Sequence, residues 1–176
     1  MSIVLMPHQD EWAPKFAAFK SEVATIVGEC LLTLEHFGST SIVAIAAKPI
    51  IDMIGTVRTL SCLDEALGKN LPSHIKNLAE NGVPGRRYLV VLDMLGEAQA
   101  HVHLFENGHP AHIDRILFRD YLRANEASAK EYEALKMDLA VRYKDDPVSY
   151  WKGKAAFVTA ILARAKGSRS NPADSR

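Results

Sequence analysis

The stretch "HFGSTSIVAIAAKPIID", residues 36–52, sets Gly38, Ser39, Thr40 and Ser41 in a row and follows them with Lys48 and, at a strand-like position, Asp52. Glycine lacks the Cβ that would keep a ligand off the backbone, so a Gly-Ser turn can offer N–H groups and a hydroxyl to a phosphate. Such pairs are also ordinary turn residues. Asp52 sharpens the reading, because a carboxylate one strand later can hold a divalent ion beside cradled phosphates. In the competing reading Asp52 caps a turn or pairs with Lys48.

A second group lies in "QAHVHLF". His101 and His103, two apart on a strand, share one face about 6.5–7 Å apart along the chain. Opposite Asp52 they would make a site of two histidines and one carboxylate, suited to zinc, manganese or iron, with His36 as a further candidate. The alternative is that they hydrogen-bond to neighbours or to a substrate without metal. Basic residues that could receive phosphate are Lys48, the pair Arg86 and Arg87, and Arg115, Arg119 and Arg123 at four-residue steps. Like charges so spaced repel mildly, which either a bound anion or pairing with Asp114, Asp120 and Glu126 would offset.

These residues need elements to hold them. Trp12, Phe16, Phe19, Val23 and Ile26 recur at helical spacing, with Asp10 placed to cap the start. "ECLLTLEHF" and "PIIDMIGTV" read as strands on either side of the opening loop. Residues 61–81 read as one broken or two short helices, interrupted near Pro72 and stopped by Gly82. "RRYLVVLDM" and "QAHVHLF" read as antiparallel strands around a turn at residues 95–98. Three helices follow, and the tail from residue 167 to 176 has no apolar anchor and reads as disordered. The fold class is α+β, a small mixed sheet covered by helices with a helical C-terminal segment.

Composition narrows the function. The 176 residues suit one domain, taken as 1–166, and 21 basic and 21 acidic residues cancel, so there is no strong sign of nucleic-acid binding. Cys30 and Cys62 lack CxxC spacing, which indicates neither a disulfide framework nor a zinc ribbon and fits a reducing, cytoplasmic setting. No apolar run approaches the ~18 residues of a membrane span.

"FGST", twelve residues, then "D" resembles the nucleotidyltransferase superfamily signature. "EHFGSTSIVAIAAKPIID", "GVPGRRY", "HVHLF", "ILFRDYLRAN", "YEALKMDLAVRY" and "YWKGKAAFV" together resemble the GrpB family, in collinear order over roughly residues 5 to 165. The resemblance implies a nucleotidyltransferase-like fold that binds a nucleotide or phosphorylated small molecule, with a divalent metal (Mg, Mn or Zn) and possible nucleotidyl transfer. It makes Asp52, His101 and His103 the candidate catalytic and metal residues. Gly38, Ser39, Thr40, Ser41, Lys48, Arg87 and Arg119 become the candidate phosphate ligands, with Lys136 and Lys154 as weaker ones. A binding module without catalysis and a metal-dependent hydrolase are the rival readings. Active superfamily members carry a second acid two residues after the first, where this chain has Ile54, and a third on a later strand, where it has His101 and His103. Val43 and Ala44 also stand where the family commonly has Pro-Gly.

Overall fold

Residues 3–43 and 45–169 are described by a computed structural model. The helical stripe near the N-terminus forms α1 (Trp12–Val27), which buries Trp12, Val23, Ile26 and Val27. Asp10 does not cap it: Glu11 precedes the helix, already in helical conformation and without a side-chain cap. A short 3-10 turn, Gly28–Cys30, leads into β1 (Leu31–Phe37), and the chain returns through the loop as β2 (Ile51–Val57). Next comes α2 (Leu60–Asn70), capped by Thr59, whose hydroxyl accepts from the Cys62 N–H.

The helical reading of residues 61–81 holds only to Asn70. Beyond Pro72 the chain forms a short edge strand, β3 (Ile75–Asn77), with Ile75 buried opposite Val91. Three residues are too few to show a period, so the strand exists through its pairing. The hairpin is β4 (Arg86–Leu92) and β5 (Ala98–Glu106), and Asp93 Oδ1 accepts from the Leu95 and Glu97 N–H groups to close the turn.

The sheet order is β1-β2-β5-β4-β3, with β2 and β5 parallel and every other pair antiparallel. Leu34, Met53, Val57, Leu89, Val91, Val102 and Leu104 project from one face into the main core beneath α1 and α2. Full burial of each such side chain contributes about 1.5–3 kcal/mol.

Four helices follow where three are expected: α3 (Pro110–Ala124), α4 (Glu126–Arg142), α5 (Pro147–Gly153) and α6 (Ala155–Arg169). The last pair separates where Gly153 passes so near α4 that a Cβ would sit 3.0 Å from Leu139 Cδ1. Because α6 runs to Arg169, residues 167–169 are helical rather than tail; residues 170–176 lie outside the described residues. Ile42 and Ile45 from the loop join Leu122, Ala129, Tyr132 and Ile161 in a second core. Among the described residues no helix is long and apolar enough to cross a membrane.

The expectation of unpaired cysteines is corrected. Cys30 and Cys62 form a disulfide with Cα atoms 6.0 Å apart, because α2 folds back over the end of α1. The bridge closes a sequence separation of 32 residues, and constraining a loop of that size in the unfolded chain stabilises by about 4 kcal/mol. Urea unfolding with and without dithiothreitol is expected to show a loss of that order on reduction, and the Cys30→Ser protein should match the reduced wild type.

Candidate functional site

Every residue of β2 is buried except Asp52. Register places Asp52 beside Phe37 of β1 and His101 of β5, and Ile54 beside His103, which in turn faces Tyr88 of β4. Residues opposite each other in a sheet share a face. Phe37, Asp52, His101, His103 and Tyr88 therefore line the face turned away from α1 and α2. The Asp52 and His101 side chains stay 30% and 28% exposed, and His101 Nδ1 lies 3.4 Å from Asp52 Oδ1.

The loop comes down onto this carboxylate at Gly38. Its φ is +70°, and a Cβ there would sit 2.9 Å from the Asp52 Cβ and collide with Oδ2. The next residues, Ser39–Ser41, form a 3-10 turn. Their side chains are largely used for bracing. Thr40, 2% exposed, bonds His36 Nε2 at 2.9 Å, and the Ser41 hydroxyl donates to the Gly38 carbonyl at 2.7 Å. Ser39 bonds Tyr132. What remains for an anion is the Gly38–Ser39 corner and its backbone.

The helices hold this loop. Arg123 Nε donates to the Ser41 carbonyl at 3.0 Å, while Glu133 accepts the Ala46 N–H and Lys136 Nζ donates to the Ala46 carbonyl. Ala44, in the segment between, lies outside the described residues. Beyond it, Lys48 Nζ stands 5.0 Å from the Tyr150 ring centroid and Lys154 Nζ 4.7 Å from the same ring. Burial lowers Lys154 to about 8, with Asp52 opposing the shift and Lys48 adding to it. Lys48 is lowered by burial too, again against the pull of Asp52. Lys136 falls to about 8 through burial and then the charge of Lys154.

Other expectations are revised. Arg87 points to the opposite face and grips Asp64 through Nε and Nη2, both at 2.6 Å, so it is not in the cleft. Its neighbour Arg86 is, with Nη1 3.1 Å from His103 Nδ1. Arg119 is buried and committed to Glu35, Asp120 and the His36 carbonyl. His36 lies on the α1 side, stacked on Phe16, and burial, then Arg123, lowers it to about 4 despite Asp52. Asp52, His101 and His103 share a face but do not form a ready three-ligand metal site: among the described residues no three His, Cys, Asp or Glu side chains do. The lone pair of His103 Nδ1 is turned to the Arg86 guanidinium, which can only donate. Ile54, where a second acid would stand, is 0% exposed.

Tyr88, Tyr132 and Tyr150 escape sequence reasoning, although Tyr88 could be found by alternation from Arg86. Burial pushes the Tyr88 and Tyr150 phenols up to about 12, with Asp52 adding to the shift at Tyr88.

The family model described as "GrpB protein" matches residues 2–164. The chain belongs to the GrpB family. UPF0157 protein YqkA of Bacillus subtilis is 35% identical over 165 residues, 93% of this chain and 47% of that protein, so the chain spans about half of its length. The crystal structure of conserved protein GrpB from Enterococcus faecalis superposes with a TM-score of 0.86 at 31% identity, over 96% of this chain and 100% of that one. The structure of Cid1 in complex with the UTP analog UMPNPP has a TM-score of 0.51 at 14% identity, over 84% of this chain and 48% of that one. The GrpB chain thus has a nucleotidyltransferase-like fold.

The contact at Gly38 predicts a specific defect. Gly38→Ala meets both a left-handed backbone and the Asp52 side chain, and should lose about 1–3 kcal/mol in urea unfolding. Gly82→Ala, at φ +80° with open space around it, should lose only the smaller backbone part. Equal losses would show that the approach to Asp52 adds no constraint.

Proposed function

We propose that the cleft binds a nucleotide or another phosphorylated small molecule, with phosphates between the Gly38–Ser39 corner and the ammonium groups of Lys48 and Lys154. The observation that carries this reading is the pair of lysines set against one Tyr150 ring, with Asp52 as the acid that offsets them. Two cations and one carboxylate leave positive charge in a half-buried place, which a polyanion would neutralise. The UTP analog in the Cid1 complex supports a nucleotide.

The donor set also bears on the metal. A single part-exposed carboxylate suits magnesium or manganese, which keep waters and take phosphate oxygens. Zinc prefers three or four nitrogen or sulfur donors, which fits poorly with His103 engaged by Arg86. An ion held by Asp52 would supply charge neutralisation at the phosphates. Two-metal transfer needs a second carboxylate, and Ile54 is fully buried, so nucleotidyl transfer is slow or absent and a binding role is favoured.

Nucleoside triphosphates with Mg²⁺ should raise the melting temperature, by up to about 2.7 kcal/mol of stabilisation at 100-fold Kd. Ser39→Ala with Lys48→Ala should shrink that rise, and an equal rise in wild type and variant would place the ligand elsewhere. The effect should weaken as pH climbs. A bound anion raises the pKa of Lys154, which burial holds at about 8, so binding takes up protons and weakens progressively as the pH rises above about 8. Pyrophosphate release should be slow or absent with Mg²⁺ or Mn²⁺; robust release that disappears in Asp52→Asn would show that the chain is a transferase.

A further inference from the structure

We propose that Arg86 and Asp52 set the two histidines of β5 in opposite tautomers, so that His103 meets a second substrate as an uncharged N–H donor and His101 as an acceptor. Guanidinium groups only donate, so His103 Nδ1, 3.1 Å from Arg86 Nη1, must carry the lone pair and Nε2 the proton. His101 Nδ1 lies within ion-pair reach of Asp52 Oδ1, at 3.4 Å; a carboxylate favours a proton on the ring nitrogen nearest to it, which puts the proton there and the free lone pair on Nε2.

The surroundings keep His103 in its role. Arg86 is itself fixed: Nε donates to the Glu80 carbonyl at 3.2 Å and Nη2 to the Asn81 carbonyl at 2.7 Å. Tyr88 lies tilted against both imidazoles, with centroids 5.5 Å from His101 and 4.9 Å from His103, and Phe37 meets His103 edge-on at 5.3 Å. Burial holds His103 neutral, lowering it to about 3, with Arg86 and Arg115 adding to the shift and Asp52 opposing it. Arg86 is thus a positioning residue that acts through His103.

The backbones of residues two apart on a strand sit about 6.5–7 Å from each other, and both side chains leave the same face. Beside a phosphate cleft, that pair fits a small hydroxyl compound: the hydroxyl donates to His101 Nε2, and a second oxygen on the same molecule accepts from His103 Nε2. The substrate class rests on the phosphate-binding reading above; the tautomers do not.

The test is a long-range proton–nitrogen correlation spectrum of the full, 15N-labelled, metal-free chain at neutral pH, with the two rings assigned from His101→Gln and His103→Gln. His103 should show a single Nε2–H form and His101 the Nδ1–H form. Arg86→Met should turn His103 into a mixture while leaving His101 unchanged, and Arg86→Lys, which still donates, should restore the single form. An Nδ1–H form of His103 in the wild type overturns the proposal, a result that stands whether or not Arg86→Met folds. His103 unchanged in a folded Arg86→Met protein overturns it as well. Failure of nucleotides to stabilise the protein would instead sink the phosphate reading, and with it the substrate class, while the tautomers stood.

Discussion

Gly38 rests on Asp52 with no side chain between them, and the geometry of the cleft hangs on that approach. The contact brings a turn onto the only part-exposed residue of β2. It also decides where the chain goes next, since Thr40 and Ser41 turn inward and the loop continues under the helices. Any other residue at 38 would have to push the carboxylate aside.

The loop has few backbone partners of its own and borrows them from far along the chain. Arg123 holds the Ser41 carbonyl, and Glu133 and Lys136, one helical turn apart, hold the N–H and the carbonyl of Ala46. Buried peptide groups left unpaired would be costly, so these charged side chains serve the loop as a ladder serves a strand. The site is thereby set by elements that only meet in the folded state: β2 supplies the acid, the loop supplies Lys48 and the junction of α5 and α6 supplies Lys154.

Much of the fold was legible because it rests on local periodicity. α1, the hairpin and the strands on either side of the loop follow from apolar spacing and turn residues. β3 was not legible, since Ile75–Asn77 is a strand only through its pairing with β4, and the break between α5 and α6 falls where Gly153 packs against Leu139 of α4, a contact between distant residues. Within the site, spacing led to Gly38, Asp52 and the two histidines. Alternation says that Arg86 and Arg87 point opposite ways, but only the register with β5 says that Arg86 is the one facing His103. Tyr150 and Lys154 come from helices about a hundred residues away from the loop, beyond any local pattern. The cysteine pair was missed for the same reason: the bridge depends on how α2 crosses α1.

The parallel pairing of β2 with β5 carries a kinetic consequence. Asp52 and His101 are neighbours in space but are joined by a crossover that contains α2, β3 and β4. Closing so long a loop is entropically uphill until the central ladder forms, whereas α1, α2 and the β4–β5 hairpin need only near neighbours. Helices and hairpin can therefore be present in a chain that still has no cleft. The register that sets Asp52 beside His101 exists only once that long loop has closed.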